Sequence, residues 1–155
     1  MKEFFTSKSL DDTKKLALVI AKNLTRGMVI SLDGDLGAGK TTFTKSLSLG
    51  LDIKEEVSSP TFNILKCYFS GKLPLYHIDA YRLEDQINMD IGLEEVIEGD
   101  GVCVIEWGRF IEELIFEPLN IKISIINANE RIFEISSDFS KYDSIINKIK
   151  EELNV

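Results

Sequence analysis

The residues best suited to chemistry lie in one short segment, GDLGAGKTT. Gly34, Gly39, Lys40 and Thr41 match the spacing G-x-x-x-x-G-K-S/T. Glycines accept positive φ angles and carry no Cβ, so several backbone N–H groups can converge on phosphate oxygens. Lysine supplies a mobile positive charge for the outer phosphates, and a threonine hydroxyl is a hard oxygen ligand for Mg²⁺. The spacing predicts a site for a nucleoside triphosphate and Mg²⁺.

The segment lies between two elements that would position it. Residues 29–32 form an apolar, β-branched run typical of a buried strand, and residues 40–51 place Phe43, Leu47 and Leu51 on one helical face. A helix that begins at residue 40 would add unpaired N–H groups and the positive end of its dipole. A glycine-rich turn followed by a surface lysine, with no ligand, is the structural alternative.

Hydrolysis or transfer of a phosphate also requires carboxylates for the metal ion and for the attacking nucleophile. Asp79 follows the run LPLYHI, and Glu106 ends the run VCVIE. In doubly wound sheets, ligands bind at the carboxyl ends of neighbouring strands. We therefore expect Asp79 and Glu106 to lie in the site, although either could by itself be a solvated acid at a strand end.

Four other residues admit two interpretations each. Thr61 in VSSPTF is either a switch-like hydroxyl near the γ-phosphate or part of an ordinary Ser-Pro turn. His77 is interpreted as a packed strand residue in preference to a catalytic one. Trp107 either covers an edge of the core or stacks beside the nucleotide. Arg82 either pairs with a carboxylate or phosphate of the site or forms a surface ion pair.

The remaining periodicity predicts the fold class. The predicted elements are an amphipathic helix over 10–24 that starts after Ser9, a hairpin of strands over 62–69 and 73–79, an interrupted helix over 85–98, a buried strand over 101–107, two alternating strands around the turn NANE, and a closing helix over 142–153. Together with the phosphate loop they predict an α/β, P-loop NTPase-like sandwich with a central mixed β-sheet flanked by helices.

Length and composition indicate one domain. The chain has 155 residues, of which 44% are hydrophobic, and no repeat or linker divides it, so we expect a single P-loop domain over residues 1–155. No apolar run approaches the roughly 20 residues that a membrane span requires. The N-terminal segment lacks the apolar core of a signal peptide. These features predict a cytoplasmic protein with no membrane partner.

The net charge and the positions of the cysteines argue against direct nucleic-acid binding and against a cysteine metal site. A formal net charge of −8 argues against a broad face that binds nucleic acid directly, because that affinity depends on Lys and Arg. If RNA is involved, another subunit is expected to hold it. Cys67 and Cys103 stand alone, without the spacing of a metal site, so we interpret both as buried free thiols.

The motifs GDLGAGKTTF, VSSPTF, HIDAYR, GLEEVI and VIEW, in this order, resemble those of the bacterial TsaE family over residues 10–107. The resemblance implies an ATPase of tRNA threonylcarbamoyladenosine biosynthesis that uses ATP and Mg²⁺. It implies that TsaD and TsaB are partners, which attach threonylcarbamoyl to N6 of adenosine 37 in tRNAs that read codons beginning with A. The ATPase would support turnover of that complex, contact tRNA only through it, and not perform the transfer itself.

The resemblance also implies individual roles. Thr41 and Glu106 would be Mg²⁺ ligands, Asp79 would occupy the Walker B-like position, and Thr61 would be the switch-like threonine. Lys40, Asp79, Glu106 and Thr61 would form the catalytic set. The ATP contacts would comprise Leu10 on the adenine side, Trp107 beside the nucleotide, and the loop residues Asp35, Leu36, Gly37, Ala38, Gly39, Lys40, Thr41 and Thr42.

The chain departs from the family pattern at two positions. Gly108 follows the tryptophan where proline is common, and Ala80 replaces a larger apolar residue. The first departure leaves the adenine-side contacts open.

Three other function classes are consistent with a phosphate loop. A small-molecule kinase usually closes an arginine-bearing lid over the phosphates, whereas the four arginines here are scattered through the sequence. A GTPase would need Asp-x-x-Gly and Asn-Lys-x-Asp motifs, and neither is present. A nucleotide-dependent binding module with slow hydrolysis is compatible with the family resemblance, because no obvious base for the attacking water stands out.

Overall fold

A seven-stranded mixed sheet organises the part of the chain that the structure, a computed structural model, describes: residues 1–58, 60, 64–83 and 92–154. The strands are β1 (Lys2–Ser7), β2 (Val29–Gly34), β3 (Leu65–Tyr68), β4 (Leu75–Asp79), β5 (Val102–Glu106), β6 (Leu119–Ile125) and β7 (Arg131–Ser136). The α-helices are α1 (Leu10–Lys22), α2 (Lys40–Gly50), α3 (Leu93–Ile97) and α4 (Asp143–Leu153). Short 3₁₀ helices span Tyr81–Leu83, Gly108–Leu114 and Ser140–Tyr142.

The strand order is β1-β7-β6-β2-β5-β4-β3. β2 runs parallel to both β5 and β6, and β4 runs parallel to β5. The pairs β1 with β7, β6 with β7, and β3 with β4 are antiparallel. β2 is therefore the central strand, and its carboxyl end lies between the ends of two parallel neighbours. The predicted α/β class with a central mixed sheet is confirmed.

Apolar side chains cover the sheet on both faces. One core cluster joins α1, α2 and α4 to the sheet through fully buried residues such as Leu16, Phe43 and Ile145. A second cluster on the other face packs α3 and the 3₁₀ helix Gly108–Leu114 against β4 and β5. Among the described residues, no helix is long and apolar enough to span a membrane.

The predicted elements agree with the structure along most of the chain. The side chain of Ser9 caps α1 by accepting a hydrogen bond from the Asp12 N–H at 3.1 Å, as its position before the helix predicts. The hairpin of β3 and β4, the strands β2, β5, β6 and β7, and the closing helix α4 all form. Of the helix predicted over 85–98, residues 84–91 lie outside the described residues, and α3 occupies its last part.

One element was missed and one prediction was wrong. Sequence analysis gave no strand before residue 10, yet β1 forms at the sheet edge, where it pairs with β7 from Lys2 opposite Ser136 to Ser7 opposite Arg131. Its apolar residues do not alternate with polar ones, because Phe4 is exposed while Phe5 and the polar Ser7 are buried, so the sequence gives little strand signal. Cys67 was interpreted as buried, but it is exposed on the short strand β3, whereas Cys103 is buried as predicted.

The hydroxyl of Tyr142 ties the last helical segment to β2. This side chain is fully buried, and its hydroxyl accepts from the Val29 N–H at 2.9 Å and lies 2.8 Å from the Glu117 carbonyl oxygen. We expect Tyr142→Phe to lower the free energy of unfolding by about 1–3 kcal/mol, because a buried N–H and a partly buried carbonyl oxygen lose their partner.

Chemical denaturation measures this change. The matched control is Tyr76→Phe, whose hydroxyl lies 3.5 Å from Asp100 in an exposed contact and which should leave the stability nearly unchanged. Equal losses of stability in Tyr142→Phe and Tyr76→Phe would contradict the stabilising role assigned to the Tyr142 hydroxyl.

Candidate functional site

The predicted phosphate loop, Asp79, Glu106 and Trp107 meet at the carboxyl edge of the central strands. β2 ends at Gly34 and α2 begins at Lys40, so residues 35–39 form a loop at this edge. Asp79 and Glu106 end β4 and β5, where they are paired residues, and Glu106 also pairs with Leu32 of β2. A cavity of about 550 Å³ opens here. Its lining includes Leu36, Gly37, Gly39, Lys40, Thr41, Thr42, Asp79, Glu106 and Trp107.

Two loop glycines adopt conformations that favour glycine. Gly37 has φ +80° and Gly39 has φ +108°, in the region where L-residues with a side chain are strained. A Cβ at either position would meet no atom within 4 Å. The space in front of the loop is therefore open, and the backbone can be approached closely by a ligand.

Gly34 has a different reason to be glycine. A Cβ there would lie 3.0 Å from the carbonyl oxygen of Ile123 and 3.1 Å from the Cβ of Ala38. The missing side chain lets the end of β2 pack closely against β6 and lets the loop turn tightly over it. The first glycine of the motif thus serves packing, and the later ones serve backbone conformation.

The ammonium group of Lys40 is held inside the site. Its Nζ donates to the carbonyl oxygen of Gly34 at 2.5 Å and lies 4.2 Å from the ring centroid of Trp107. The residue is only 7% exposed, and this burial lowers the pKa of Lys40 because it disfavours the charged form.

Carboxylates oppose the effect of burial on Lys40. The negative charges of Glu106, Asp33, Asp79 and Asp35, in decreasing order of effect, act to raise the Lys40 pKa. Burial is the larger influence, so the pKa of the amine stays below its ordinary value of 10.5. The site holds a cation in a position where a negatively charged ligand would stabilise it.

Glu106 is oriented by a buried histidine. His77 Nε2 lies 2.6 Å from Glu106 Oε2, and both side chains are buried. His77 Nδ1 has no hydrogen-bond partner among the described residues. The histidine is a packed strand residue, as predicted, and it also fixes one oxygen of a carboxylate that lines the cavity.

Asp79 sits at the turn that follows β4. Its Oδ1 accepts from the N–H of Tyr81 at 3.1 Å, while the neighbouring Ala80 N–H donates to the Glu106 carbonyl oxygen at 2.9 Å. Burial raises the pKa of Asp79, the Tyr81 N–H lowers it, and the charge of Glu106 raises it further. The result is a carboxylate that binds protons more readily than an ordinary aspartate.

Trp107 follows Glu106 in the left-handed region, at φ +58°. The ring of Phe110 lies parallel to it, with centroids 6.0 Å apart, and the ring of Tyr81 lies 5.0 Å away. The guanidinium of Arg109 is 4.7 Å from the indole centroid. Trp107 belongs to the second core cluster and also lines the cavity, so the two alternatives stated for it are compatible.

A second cavity of about 560 Å³ lies on the other side of the loop. It shares Gly37, Gly39 and Thr42 with the first cavity, and its lining also includes Ala38, Ser7 and Asn129. Leu10, predicted on the adenine side, is 75% exposed and lines this cavity. The loop is thus accessible from both sides.

Some predicted residues lie outside this description, and others were missed. Thr61 and the side chain of Arg82 lie outside the described residues. Sequence reasoning gave no role to Tyr81, although it belongs to the quoted motif HIDAYR and lines the first cavity. It also missed the contact of Arg131 with the loop, for which the sequence carries no local signal.

The oxygen ligands available in the first cavity suit Mg²⁺ better than a metal ion whose ligands all come from protein side chains. Among the described residues, no group of three or more His, Cys, Asp or Glu side chains is arranged to hold a metal ion. Mg²⁺ usually takes one or two carboxylates together with waters and substrate phosphates. Glu106, Asp79 and the hydroxyl of Thr41, which line one cavity with the loop, suit that pattern.

Comparisons with known proteins agree with the motifs. Residues 7–133 match the family model described as threonylcarbamoyl adenosine biosynthesis protein TsaE. The chain is 43% identical over 146 residues to the tRNA threonylcarbamoyladenosine biosynthesis protein TsaE of Bacillus subtilis, covering 94% of this chain and 92% of the relative. It is 45% identical over 127 residues to the protein of that name from Treponema pallidum, covering 81% and 93%.

A solved structure gives the same result for the fold. The crystal structure of YdiB from Bacillus subtilis superposes with a TM-score of 0.84 at 36% identity, covering 97% of this chain and 95% of that one. The family match continues past Trp107 to residue 133, although the motifs alone extend only to Trp107. It therefore includes most of the β6–β7 hairpin.

The burial of Lys40 leads to a stability prediction. Because the folded-state pKa is lowered, the charged amine is less stable in the folded protein than in the unfolded chain at neutral pH. We expect Lys40→Met to melt at or above the temperature of the parent protein. The matched control is Lys45→Met, an exposed lysine on the same helix, which should change little.

The same linkage sets the pH dependence. The unfolded chain keeps the Lys40 proton up to about pH 10.5 and the folded protein releases it earlier, so this group makes stability rise as the pH increases toward that value. Lys40→Met should lose that rise in denaturation curves measured at several pH values. A large loss of stability in Lys40→Met alone would show that the amine is a net stabilising contact.

Proposed function

Because the chain belongs to the TsaE family of tRNA threonylcarbamoyladenosine biosynthesis proteins, we propose that it is a Mg²⁺-dependent ATPase that supports this tRNA modification. One observation carries the proposal. The loop of the G-x-x-x-x-G-K-T motif faces two strand-end carboxylates, Asp79 and Glu106, across a single cavity. A phosphate cradle and acids for a metal ion are the components that phosphoryl transfer to water requires.

The triphosphate would bind along the loop and the first turn of α2. N–H groups of residues 37–42 other than Ala38, whose N–H is donated to the Asp35 carbonyl oxygen, would surround its oxygens. The dipole of α2 would add positive potential. Lys40 would leave the Gly34 carbonyl oxygen for the outer phosphates, a change favoured because it gives a buried cation an anionic partner. Leu10 and the second cavity would receive the nucleoside side of ATP.

Thr41 and Glu106 would hold Mg²⁺, with Asp79 nearby as a second carboxylate. When bound, the ion neutralises charge on the phosphate oxygens and orients them. The contact between His77 and Glu106 occupies one carboxylate oxygen and leaves the other available. The ring of Trp107 would support the Lys40 ammonium group through their contact. Thr61 would supply a hydroxyl near the γ-phosphate.

The role in the cell would be that of an auxiliary ATPase. We propose that TsaD and TsaB are its partners in the cytoplasm, that they attach threonylcarbamoyl to N6 of adenosine 37, and that ATP turnover resets their complex. The net charge of −8 agrees with contact to tRNA through the partners, since a chain with an excess of acidic residues repels a phosphate backbone overall. The family's role in tRNA modification favours this function over a small-molecule kinase.

Two substitutions should remove ATP hydrolysis without unfolding the protein. Lys40→Ala removes the cation for the outer phosphates, and Glu106→Gln keeps the shape of the side chain but removes a metal ligand. We expect each to lower the hydrolysis rate at least about a hundredfold, measured as phosphate released from ATP in the presence of TsaD and TsaB.

Lys45→Ala and Glu112→Gln are the matched controls, because both residues are exposed and lie outside the first cavity. Thermal melts accompany the assay. A fall in melting temperature that parallels the fall in activity would indicate that Lys40 and Glu106 have structural roles only.

Hydrolysis should depend on the partners. Among the described residues that line the first cavity, the two acids, Asp79 and Glu106, are both assigned to the metal region, so neither is left as a base for the attacking water. We expect slow hydrolysis of MgATP by the isolated protein and a clear increase on addition of TsaD and TsaB, with GTP a poorer substrate. Rapid hydrolysis by the isolated protein, unchanged by the partners, would refute the auxiliary role.

A further inference from the structure

The side chain of Arg131 connects two loops at the site. Its Nε donates to the Ala38 carbonyl oxygen at 3.0 Å, and one terminal nitrogen lies 3.4 Å from the Gly37 carbonyl oxygen. The other terminal nitrogen donates to the carbonyl oxygens of Asn127 at 2.7 Å and Glu130 at 3.0 Å. One guanidinium therefore holds the phosphate loop and the turn between β6 and β7 together.

The turn on the far side of Arg131 is itself well braced. The Asn127 side-chain oxygen accepts from the N–H groups of Asn129 at 2.9 Å and Glu130 at 3.0 Å. The Ile126 N–H donates to the Glu130 carbonyl oxygen at 3.0 Å. Arg131 thus anchors the phosphate loop to a fixed structure at the end of the β6–β7 hairpin.

These contacts fix the orientation of two peptide groups of the loop, Gly37–Ala38 and Ala38–Gly39. In a trans peptide the C=O and N–H point in opposite directions, and the described chain contains no cis peptide. The bond from Arg131 to the Ala38 oxygen therefore turns the Gly39 N–H away from the arginine. The preceding peptide is held at both ends, because the Ala38 N–H donates to the Asp35 oxygen at 3.0 Å.

The guanidinium also keeps its charge available. Among the described residues, no carboxylate oxygen lies within ion-pair distance of Arg131. A cation that donates only to carbonyl groups still contributes positive potential to its surroundings. The positive charge of Arg131 therefore lies beside the Gly37 and Ala38 carbonyl groups of the phosphate loop.

We propose that Arg131 is a positioning residue for phosphate binding, which fixes the Gly37–Gly39 peptides from behind and supplies uncompensated positive charge to the cradle. The inference rests on the proposed function, because it takes the loop to bind a triphosphate. Arg131 also lines the second cavity, but its hydrogen bonds to the loop go to the Gly37 and Ala38 carbonyl oxygens. Its effect on phosphate binding is exerted through that backbone.

Calorimetric titration of the full-length protein with MgATP, inorganic tripolyphosphate and adenosine tests this role. Arg131→Ala should weaken the binding of both MgATP and tripolyphosphate by about tenfold, which corresponds to the loss of about one charge-assisted hydrogen bond, and should leave the binding of adenosine nearly unchanged. Arg131→Lys keeps the charge but not the planar fork and should also weaken both phosphate ligands. Millimolar guanidinium should restore part of the affinity of Arg131→Ala but not of Arg131→Lys.

Arg26→Ala is the matched control. Arg26 also donates to a backbone carbonyl oxygen, that of Asp100. It precedes the first residue of β2, at the end of the strand opposite to the phosphate loop. Its removal should leave the affinities for all three ligands unchanged. Arg131→Lys serves as the test if Arg131→Ala does not fold.

The possible outcomes separate the two claims. Wild-type affinity of the Arg131 variants for tripolyphosphate would overturn the positioning role while the proposed function stands. A loss confined to adenosine would also overturn it, because Arg131 would then act only on the nucleoside side. Failure of the wild-type protein to bind MgATP would refute the proposed function and this inference together.

Discussion

The buried ammonium group of Lys40 is the charge on which the rest of the site depends. It is 7% exposed, and four carboxylates, those of Asp33, Asp35, Asp79 and Glu106, act on its pKa. Lys40 among four acids, even with the positive charge of Arg131 at the loop, leaves the site net negative, and phosphate groups would add to that charge. A divalent cation would offset this negative charge, which agrees with the proposal that Mg²⁺ binds here.

The sheet places this lysine where the acids can reach it. β2 is central, and its parallel pairing with β5, together with the pairing of β5 with β4, brings three carboxyl ends to one edge. The absence of a Cβ at Gly34 lets the loop turn closely over β6. On the far side, the antiparallel strands β6, β7 and β1 extend the sheet and supply the turn that supports the loop. The two halves of the sheet thus contribute different parts of one site.

Sequence was sufficient where the determinants are local. The strand, loop and helix around Lys40 follow from the spacing of glycines and apolar residues, because that unit is continuous in the chain. The meeting of Asp79 with Glu106 followed from the rule that strand ends share an edge, although neither motif by itself fixes the register. The contact of Arg131 with the loop could not be predicted, because it depends on the pairing of β7 with β1 and β6 between segments far apart in sequence. β1 was missed for the same reason, because its partner strand β7 is far away in the sequence.

The most direct test of the central claim is the number of tRNA molecules modified per TsaD–TsaB complex, measured over time with this protein and MgATP. Repeated threonylcarbamoylation that requires both the protein and hydrolysable ATP is the result expected if the site at Lys40 drives turnover. Repeated modification at the same rate without the protein, or with ATP replaced by a non-hydrolysable analogue, would contradict the account.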